Sequence, residues 1–563
     1  MLSLPIPGPG LSAGADRGFV QATQGDGRDH AAGEQRTPWP GCCSSALSTS
    51  LPDVARFLGD NPVMPLRTPV AAVAAALTLI TASGTRALAR VPTQAPAAAP
   101  ASVTRADLAV AYLRFELAYL SARLDDAETV RVNRAFDALT LLFFGKQYGQ
   151  ATRQLDALTA SLDSKGPIGT LQGIAAFCPR LEPSIVVRGA APPGLRIDRL
   201  YEPSAPPAAL PTVVRLRPDG SGAPIDLVMR ARPSADGPAS LTPRSLDALK
   251  KARPGRYEVG FLVGGKFLPA STWSLVSERP SRRREANATR LGRLAPRPDL
   301  AQAVAAVTAR NALLADAPDP GNTTQLLLGP EELASQIGAE IAALEKGRDP
   351  FADRRGDYWR TVRSEAGDLP LRVYCPAGVP ARRPMPVVIA LHGAGGDENM
   401  FMDAYGGGLI KRLADARGFL VVSPLATGLA GANGPAALGA ILDVLRTTYA
   451  VDEDRIYAVG HSMGAGAVAG LARSAGTRFA AAACFNGFSW PAGASAAGAP
   501  PICVVGGALD PLAPPARLEA AVQAALAAGA SIEYRTIPNQ GHLLTVPAAL
   551  GDVVSWLLER TRR

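Results

Sequence analysis

The strongest constraint on the fold is a regular alternation of two kinds of segment in the C-terminal part of the chain. Apolar runs of strand length occupy residues 386–392, 419–424, 455–462, 479–485, 502–506 and 531–537. Amphipathic segments lie between them, and in one of these Leu438, Ile441 and Leu445 fall on a single helical face. Such alternation is typical of a mostly parallel α/β sheet covered by helices on both faces. Two further strand patterns, at 358–363 and 371–374, bring the expected sheet to eight strands.

The rest of the chain predicts additional folded units, since 563 residues exceed what one ordinary core accommodates. Thr104 and Asp107 have the spacing of a capping box at the start of a helical pattern. Further along, Gly264-Gly265 separates two alternating runs and indicates a β-hairpin. The predicted order is a linker at 90–103, a helical segment at 104–180, a small β-sandwich-like accessory domain at 184–278, a helical connector at 283–350 and the α/β domain at 355–563.

The N-terminal 89 residues have a different character. Residues 1–63 lack usable periodicity and are predicted to lie outside the true protein or to be disordered. Met64 then opens a signal-peptide pattern over 64–89, with a basic residue, an apolar run and Ala87-Leu88-Ala89 as the cleavage motif. The pattern predicts a secreted or periplasmic protein. The apolar run is short for a bilayer and no cysteine follows the motif, so no stable membrane anchor is expected.

Composition and residue spacing argue against several classes of function. The net charge of +9 comes mainly from scattered arginines, and we interpret the densest basic cluster, Arg282-Arg283-Arg284, as a solvated linker. Because no basic patch is interleaved with aromatic residues, nucleic acid is not an expected partner. Neither the four histidines of the whole chain nor the four cysteines beyond residue 90 have the spacing of metal ligands or of a dense disulfide framework, so neither a metal site nor a disulfide framework is predicted.

The sequence Gly460-His461-Ser462-Met463-Gly464 has the G-x-S-x-G pattern at the junction of a strand and a small-residue helix. Glycines are needed there because a serine on so sharp a turn has close backbone neighbours. The turn lifts the hydroxyl clear of the sheet, and the helix N-terminus favours developing negative charge. Ser462 is therefore the candidate nucleophile, although a glycine-rich packing turn would show the same five residues.

A serine hydroxyl needs a general base, and the expected chain order is Ser, then Asp or Glu, then His. His542 is the only histidine after Ser462 and follows the last predicted strand. Asp510 follows the strand at 502–506, so its carboxylate reaches the same sheet edge and can orient the imidazole. The place after the preceding strand is taken by Asn486, which is not an acid. A helix-capping role is the alternative for Asp510.

The first strong strand ends in His392-Gly393-Ala394-Gly395-Gly396, an H-G-x-x-G loop. We predict that the backbone amide of Ala394, or that of Gly393, pairs with the amide of Met463 to form an oxyanion hole.

Together these segments resemble the α/β-hydrolase superfamily, and within it the polyhydroxybutyrate depolymerase and feruloyl esterase-like secreted esterases. The resemblance covers residues 355–563 and includes Asp454-Arg455-Ile456-Tyr457 before the serine motif. It implies hydrolysis of carboxylic esters, of small molecules or polymers, through an acyl-enzyme and without a cofactor. A prolyl-oligopeptidase-like peptidase shares the outline, and a catalytically idle binding protein with the same fold is a further alternative.

Substrate-pocket residues are less well defined by the pattern. His461, Phe488 and Trp490 are the candidates, although the two aromatic residues could equally be packing residues. Only residues 487–501 connect the sixth and seventh strands, where a large lid is usually inserted. The short connection therefore predicts an open cleft.

Overall fold

The computed structural model describes residues 103–562 except 163–167, 205–206, 232–236, 318, 320–323, 325–326, 366 and 381. The predicted leader at 1–63 and the signal peptide at 64–89 lie outside the described residues, as does all but the last residue of the linker at 90–103. Within the described ranges, no helix has both the length and the apolar character needed to cross a bilayer.

The described chain opens with a helical segment, and its first helix begins at the predicted capping box. The side chain of Thr104 accepts from the backbone N–H of Asp107, and the Asp107 carboxylate accepts from the N–H of Thr104. The apolar faces of the first three helices form one core that includes Phe115, Phe136 and Leu155. The helices are α1 (Arg105–Ser121), α2 (Asp126–Phe144), α3 (Tyr148–Leu162) and α4 (Ile168–Ala175).

A β-rich region follows, in which two sheets share one apolar core. The sheet orders are β1-β3-β6 and β2-β8-β7-β4-β5. The predicted hairpin is confirmed: Gly264 and Gly265 join its two strands with φ values of 55° and 84°, which glycine adopts without strain. The elements are β1 (Phe177–Glu182), β2 (Ile185–Val187), β3 (Gly194–Arg199), β4 (Val213–Pro218), β5 (Ile225–Val228), β6 (Gly237–Ala239), α5 (Pro243–Lys250), β7 (Gly255–Val263) and β8 (Lys266–Val276).

One predicted boundary in this region is wrong. Strand β1 begins at Phe177, within the range 104–180 that we expected to be helical, and the β-rich region therefore begins before residue 184. The apolar run at 174–178 continues directly from helix α4 without a glycine or proline to mark the change, so its period does not separate helix from strand.

Two ion pairs brace the helical segment against its surroundings. Arg114 of α1 contacts Asp156 of α3 at 2.6 Å and also donates to the carbonyl of Pro269 in β8 at 2.5 Å. Arg180 of β1 contacts Asp107 of α1 at 2.6 Å. Because Asp107 and Asp156 are buried, these pairs fix α1 between the other helices and the β-rich region.

The connector consists of α6 (Pro280–Gly292), α7 (Ala301–Asn311) and α8 (Pro330–Glu345). The interpretation of the three arginines as a linker is wrong, because Arg282, Arg283 and Arg284 lie in the first turns of α6. Pro280 starts this helix, since proline at the first helical position lacks only an N–H that would be unpaired anyway. Buried residues of α7 and α8 pack into the same core as the first strand of the last domain.

The last domain has the predicted eight-stranded, mostly parallel sheet. Its order is β16-β15-β14-β13-β11-β12-β10-β9, with antiparallel pairing only where β10 meets β9 and β12. The strands are β9 (Gly356–Ser364), β10 (Gly367–Cys375), β11 (Met385–Leu391), β12 (Leu420–Pro424), β13 (Val451–His461), β14 (Ala481–Phe485), β15 (Ile502–Gly507) and β16 (Ile532–Ile537). The helices are α9 (Leu409–Arg417), α10 (Gly434–Thr448), α11 (Met463–Ser474), α12 (Pro515–Ala527) and α13 (Thr545–Leu558).

The topology of this sheet determines where a ligand can bind. Strand β11 lies between β12 and β13, so the chain leaves β11 toward one side and returns on the other. In open α/β sheets such a reversal leaves a crevice beyond the carboxyl ends of the strands. The ends of β11 and β13 are level there, since Leu391 pairs with Gly460. The loop after β11 and Ser462 after β13 therefore meet at this crevice.

Candidate active site

Ser462 occupies a strained turn between β13 and α11. Its φ of 53° lies in the left-handed region, which a residue with a side chain adopts only when the surroundings impose it. The surroundings do so through two glycines. A Cβ at Gly464 would overlap the carbonyl oxygens of Leu391 and His392, and a Cβ at Gly460 would overlap the backbone of Gly464. The backbone N–H of Ser462 also donates to the carbonyl of Phe485, at 2.8 Å. The strand and helix thus approach closely enough to hold the serine at the tip of the turn.

His542 and Asp510 meet directly at the same sheet edge. Nδ1 of His542 lies 2.8 Å from Oδ2 of Asp510, and both side chains are buried. The other carboxylate oxygen, Oδ1, accepts from the backbone N–H groups of Leu512 and Ala513 at 2.8 and 2.9 Å. An ionised carboxylate accepts the proton on Nδ1 and leaves Nε2 as the basic nitrogen. Asp510 therefore orients the imidazole and also caps its own loop.

Ser462 and His542 line one cavity but do not form a hydrogen bond. Within the described part of the chain, Oγ of Ser462 has no hydrogen-bond partner. In enzymes without substrate, this contact is often long and tightens only when the substrate is bound. The structure therefore brings together the candidate nucleophile and the candidate base at one surface, with Asp510 buried behind His542.

Asn486 has a function that the sequence reasoning missed. Its Nδ2 donates to the carbonyls of His542 and Gly541 at 2.5 and 3.2 Å, and its Oδ1 accepts from the N–H of Gly507 at 2.8 Å. The position that follows β14, where an acid could have stood, instead ties the end of β15 to the loop that carries His542. The signal available in the sequence was an amide residue, Asn486, placed directly after an apolar run of strand length.

His461, predicted as a pocket residue, lines the cavity but also supports its framework. Its Nε2–H donates to the carbonyl of His542 at 3.0 Å. Its Nδ1 must then accept, and the hydroxyl of Tyr405 donates to it at 2.8 Å. Burial holds the pKa of His461 well below its usual value, so the ring remains neutral.

The predicted oxyanion loop lies against the serine turn. Gly393 is so close that a Cβ there would contact the His461 ring and the Ser462 side chain. The N–H of Gly393 donates to the hydroxyl of Tyr405 at 3.4 Å, whereas the amides of Ala394 and Met463 have no acceptor among the described residues. Of the two predicted alternatives, the geometry therefore favours Ala394, together with Met463 at the start of α11.

His392 holds this loop in place. Its Nε2 accepts from the backbone N–H of Ala426 at 3.0 Å, so its Nδ1 carries the proton and donates to the carbonyl of Gly393 at 2.8 Å. Desolvation lowers the pKa of His392, which preserves this neutral form.

The two predicted aromatic pocket residues are not in the cavity. Phe488 and Trp490 are buried in the hydrophobic core of the α/β domain, where their rings stack. The indole Nε1 of Trp490 donates to the carbonyl of Ala494 at 3.1 Å. The short loop after β14 packs onto the core and does not cross over Ser462, so the apolar surfaces of these two residues are buried by packing.

The expected open cleft is partly covered by another segment of the chain. The cavity beside Ser462 has a volume of about 230 Å³, and helices α1, α2 and α3 form its far wall. The N-terminal helical segment thus covers the cavity. It lies more than 300 residues before the connection at 487–501, where a large lid is usually inserted.

Helix α2 also contacts the loop that carries His542, the candidate base. Oδ1 of Asn133 accepts from the backbone N–H of Gly541 at 2.7 Å. The carboxylate of Asp137 accepts from the N–H of His542, with both oxygens at 3.0 Å. All four residues lie at buried or tightly packed positions. Burial raises the pKa of Asp137 to about 6, although the donated hydrogen bonds oppose this shift.

Metal-binding groups do not cluster in the described ranges, where no group of three His, Cys, Asp or Glu side chains could hold an ion. Cys178, Cys375, Cys484 and Cys503 are each buried and unpaired as thiols.

No protein-family model matches the chain, and no curated protein matches it. Solved structures similar to it include a thermostable esterase (21% identity, TM-score 0.32), for which the match covers 37% of this chain and 63% of that chain, less than two thirds of its length. A ferulic acid esterase is 17% identical over 37% of this chain and 99% of that chain, with a TM-score of 0.32. An S-formylglutathione hydrolase from Agrobacterium tumefaciens is 18% identical over 37% of this chain and 96% of that chain, with a TM-score of 0.30.

The sheet order and the serine turn identify the fold independently of those likenesses. A mostly parallel eight-stranded sheet carries a serine on a strained strand-to-helix turn, and an aspartate and a histidine follow later strands at the same edge. Residues 356–558 therefore have the α/β-hydrolase fold.

Proposed function

We propose that this protein is a serine hydrolase that cleaves carboxylic esters through an acyl-enzyme. The observation that carries the proposal is that Ser462 and the buried His542–Asp510 pair converge on one cavity beside the loop of Ala394. A strained serine, an oriented base and unpaired backbone amides are the groups that acyl transfer requires.

The reaction follows from these positions. Oγ of Ser462 attacks the acyl carbon while Nε2 of His542 takes its proton, and the oxyanion accepts hydrogen bonds from the amides of Ala394 and Met463. Collapse of this intermediate breaks the bond to the alcohol, which leaves with the proton from His542. Water then gives a proton to the same nitrogen, attacks the acyl-enzyme and releases the acid and the free serine.

The first prediction concerns the nucleophile and the bond that is cleaved. Ser462→Ala should reduce kcat on chromogenic esters to less than about a hundredth of the wild-type value, because the covalent step is lost. Wild type and variant should be compared on p-nitrophenyl, feruloyl, acetyl-xylan and peptide substrates, with circular dichroism as a check of folding. Peptide cleavage without ester turnover would select the peptidase alternative, and no turnover in the wild type would select the idle binding protein.

The second prediction concerns the cooperation of the three residues. His542→Ala should reduce kcat about as much as Ser462→Ala, and the double variant should be little worse, because the two groups act in one step. Asp510→Asn should be milder than His542→Ala, since the imidazole remains but loses the partner that orients it. Steady-state kinetics on these variants test the assignment. Additive losses for Ser462 and His542, or an unaffected Asp510→Asn, would place the base or the acid elsewhere.

We also propose that the protein is secreted or periplasmic, supported by the signal-peptide pattern at residues 64–89. Expression of the complete coding sequence, with Met64 and its leader in place, should export a protein that begins at or near Arg90. N-terminal sequencing of the exported protein measures this, and a mature protein that retains residues 1–63 would contradict both the start site and the localisation.

A further inference from the structure

The wall of the cavity opposite Ser462 is apolar. It is built by the helical segment, and its apolar side chains are Leu108, Leu113, Phe136, Leu139, Phe143 and Leu155. Phe143 packs against the predicted oxyanion loop, since a Cβ added to Gly395 would overlap its ring. A group attached to an ester carbonyl at Ser462 therefore faces hydrocarbon.

The polar side chains that line the cavity are largely engaged with protein partners. The hydroxyl of Tyr112 donates to Glu116 at 2.7 Å. Arg105 donates to the carbonyl of Gly395 at 2.8 Å, and Asp403 lies 2.8 Å from Lys411. A sugar or a peptide would need several free hydrogen-bonding groups at this wall, whereas a hydrocarbon group needs none.

We propose that this wall binds an extended apolar group of the substrate, so that the preferred esters carry a hydrocarbon chain of several carbons. The proposal rests on the proposed ester hydrolysis and adds the class of substrate. The hydrocarbon chain can belong to the acyl part or to the alcohol part of the ester, and both present the same chemistry to the wall. Each methylene that is transferred from water into such a site favours binding by roughly fourfold, equivalent to about 0.8 kcal/mol.

Two series of esters test the proposal and show which part of the substrate carries the hydrocarbon chain. In p-nitrophenyl esters the acyl group is lengthened from acetate to decanoate, and in acetate esters the alcohol is lengthened instead. In one series kcat/KM should rise by roughly threefold to fourfold per methylene until the cavity is filled. A flat profile in both series, with measurable turnover of acetate, would overturn the apolar pocket while leaving ester hydrolysis intact. Absence of all ester turnover would instead count against the proposed function and the pocket together.

Variants of the wall give a second readout. Phe143→Ala should lower kcat/KM about tenfold for the preferred long substrate and leave the acetate ester within about twofold, because only the long chain reaches the ring. Leu141→Ala on the same helix is the matched control, since its side chain is 65% exposed and lies outside the cavity lining. Ala109→Phe fills the cavity and should shorten the preferred chain. Equal losses on short and long esters in both cavity variants would contradict the assignment.

A different observation links the helical segment to catalysis. Asn133 and Asp137 are four residues apart on α2 and therefore lie on one face of the helix. The amide of Asn133 is oriented by the donation of its Nδ2 to the carbonyl of Thr129 at 2.9 Å, so its oxygen faces the N–H of Gly541. Asp137 accepts the N–H of His542, while Asn486 and His461 donate to the carbonyl of the same residue. The backbone of the base is thus held from both sides.

We infer that Asn133 and Asp137 are positioning residues for His542, and that the helical segment is a fixed part of the active site. Without these acceptors, two buried N–H groups would be unpaired and the loop would have to move to satisfy them. A displacement of about 1 Å in a catalytic group can cost about a hundredfold in rate. This inference also rests on the proposed role of His542, but it does not depend on the class of ester.

Asp137→Ala should lower kcat on the acetate ester about tenfold to a hundredfold with little change in KM, because the base is misplaced while the substrate contacts remain. Asp137→Asn keeps one acceptor oxygen and should retain more activity. Arg134→Ala, on the exposed face of the same helix, is the control. A wild-type kcat in Asp137→Ala, or an effect confined to the KM of long esters, would contradict positioning.

The pH dependence of folding stability distinguishes a positioning function of Asp137 from a purely structural one. The titratable groups that face Asp137 are His542 and Asp510, and Tyr119 of α1 pairs with Asn133. Since the folded-state pKa of about 6 exceeds the ordinary 3.8, the contribution of Asp137 to folding stability falls as pH rises from about 4 to 6. Asp137→Asn should therefore be at least as stable as wild type at pH 8, by thermal denaturation.

A kcat of Asp137→Asn below that of wild type at pH 8, with an unchanged Tm, would report misplacement of the base and not unfolding. A lower Tm at pH 8 together with a wild-type kcat would assign Asp137 a structural function only.

Discussion

The buried N–H groups of Gly541 and His542 are the constraint on which the arrangement of this protein depends. A buried backbone donor without an acceptor destabilises the fold by about 1–3 kcal/mol, so the histidine loop requires acceptors at fixed positions. The acceptors are on helix α2, more than 400 residues earlier in the chain. The catalytic domain and the helical segment are therefore held to one geometry, and the β-rich region braces α1 from its other side through Arg114 and Arg180.

A separate constraint, close backbone approach at glycines, explains why a strained serine turn is tolerated. The left-handed Ser462 is held because β13, α11 and the loop after β11 approach at glycines, and no side chain there can relax the turn. The rigid strands around it are buried on both faces, so the strain is balanced by packing of apolar side chains. The proposed base, His542, whose backbone is fixed from two sides, thus lines the same cavity as the proposed nucleophile, Ser462, whose position is equally fixed.

The chemistry of the cavity is divided between its two walls. The wall from the sheet edge carries the polar groups, and the wall from the helices carries hydrocarbon. The division follows from the fold, since helices α1–α3 turn their apolar faces toward one core and apolar side chains of the same helices also line the cavity. The same helices bury the carboxyl groups of Asp107, Glu116, Asp137 and Asp156, and burial raises the pKa of Glu116 to about 7 and that of Asp137 to about 6.

Local pattern and chain order in the sequence were enough to determine the α/β sheet, the serine turn and the succession of Ser462, Asp510 and His542. Strand ends in a parallel sheet meet at one edge, so residues that follow those ends need no further information to be placed together. Tertiary structure alone decided what covers the crevice, that Phe488 and Trp490 are core residues, and that Asn133 and Asp137 face the histidine loop. A polar residue on an amphipathic helix has the same sequence pattern whether it faces water or a distant backbone N–H, because periodicity records which face is apolar and not what the opposite face meets.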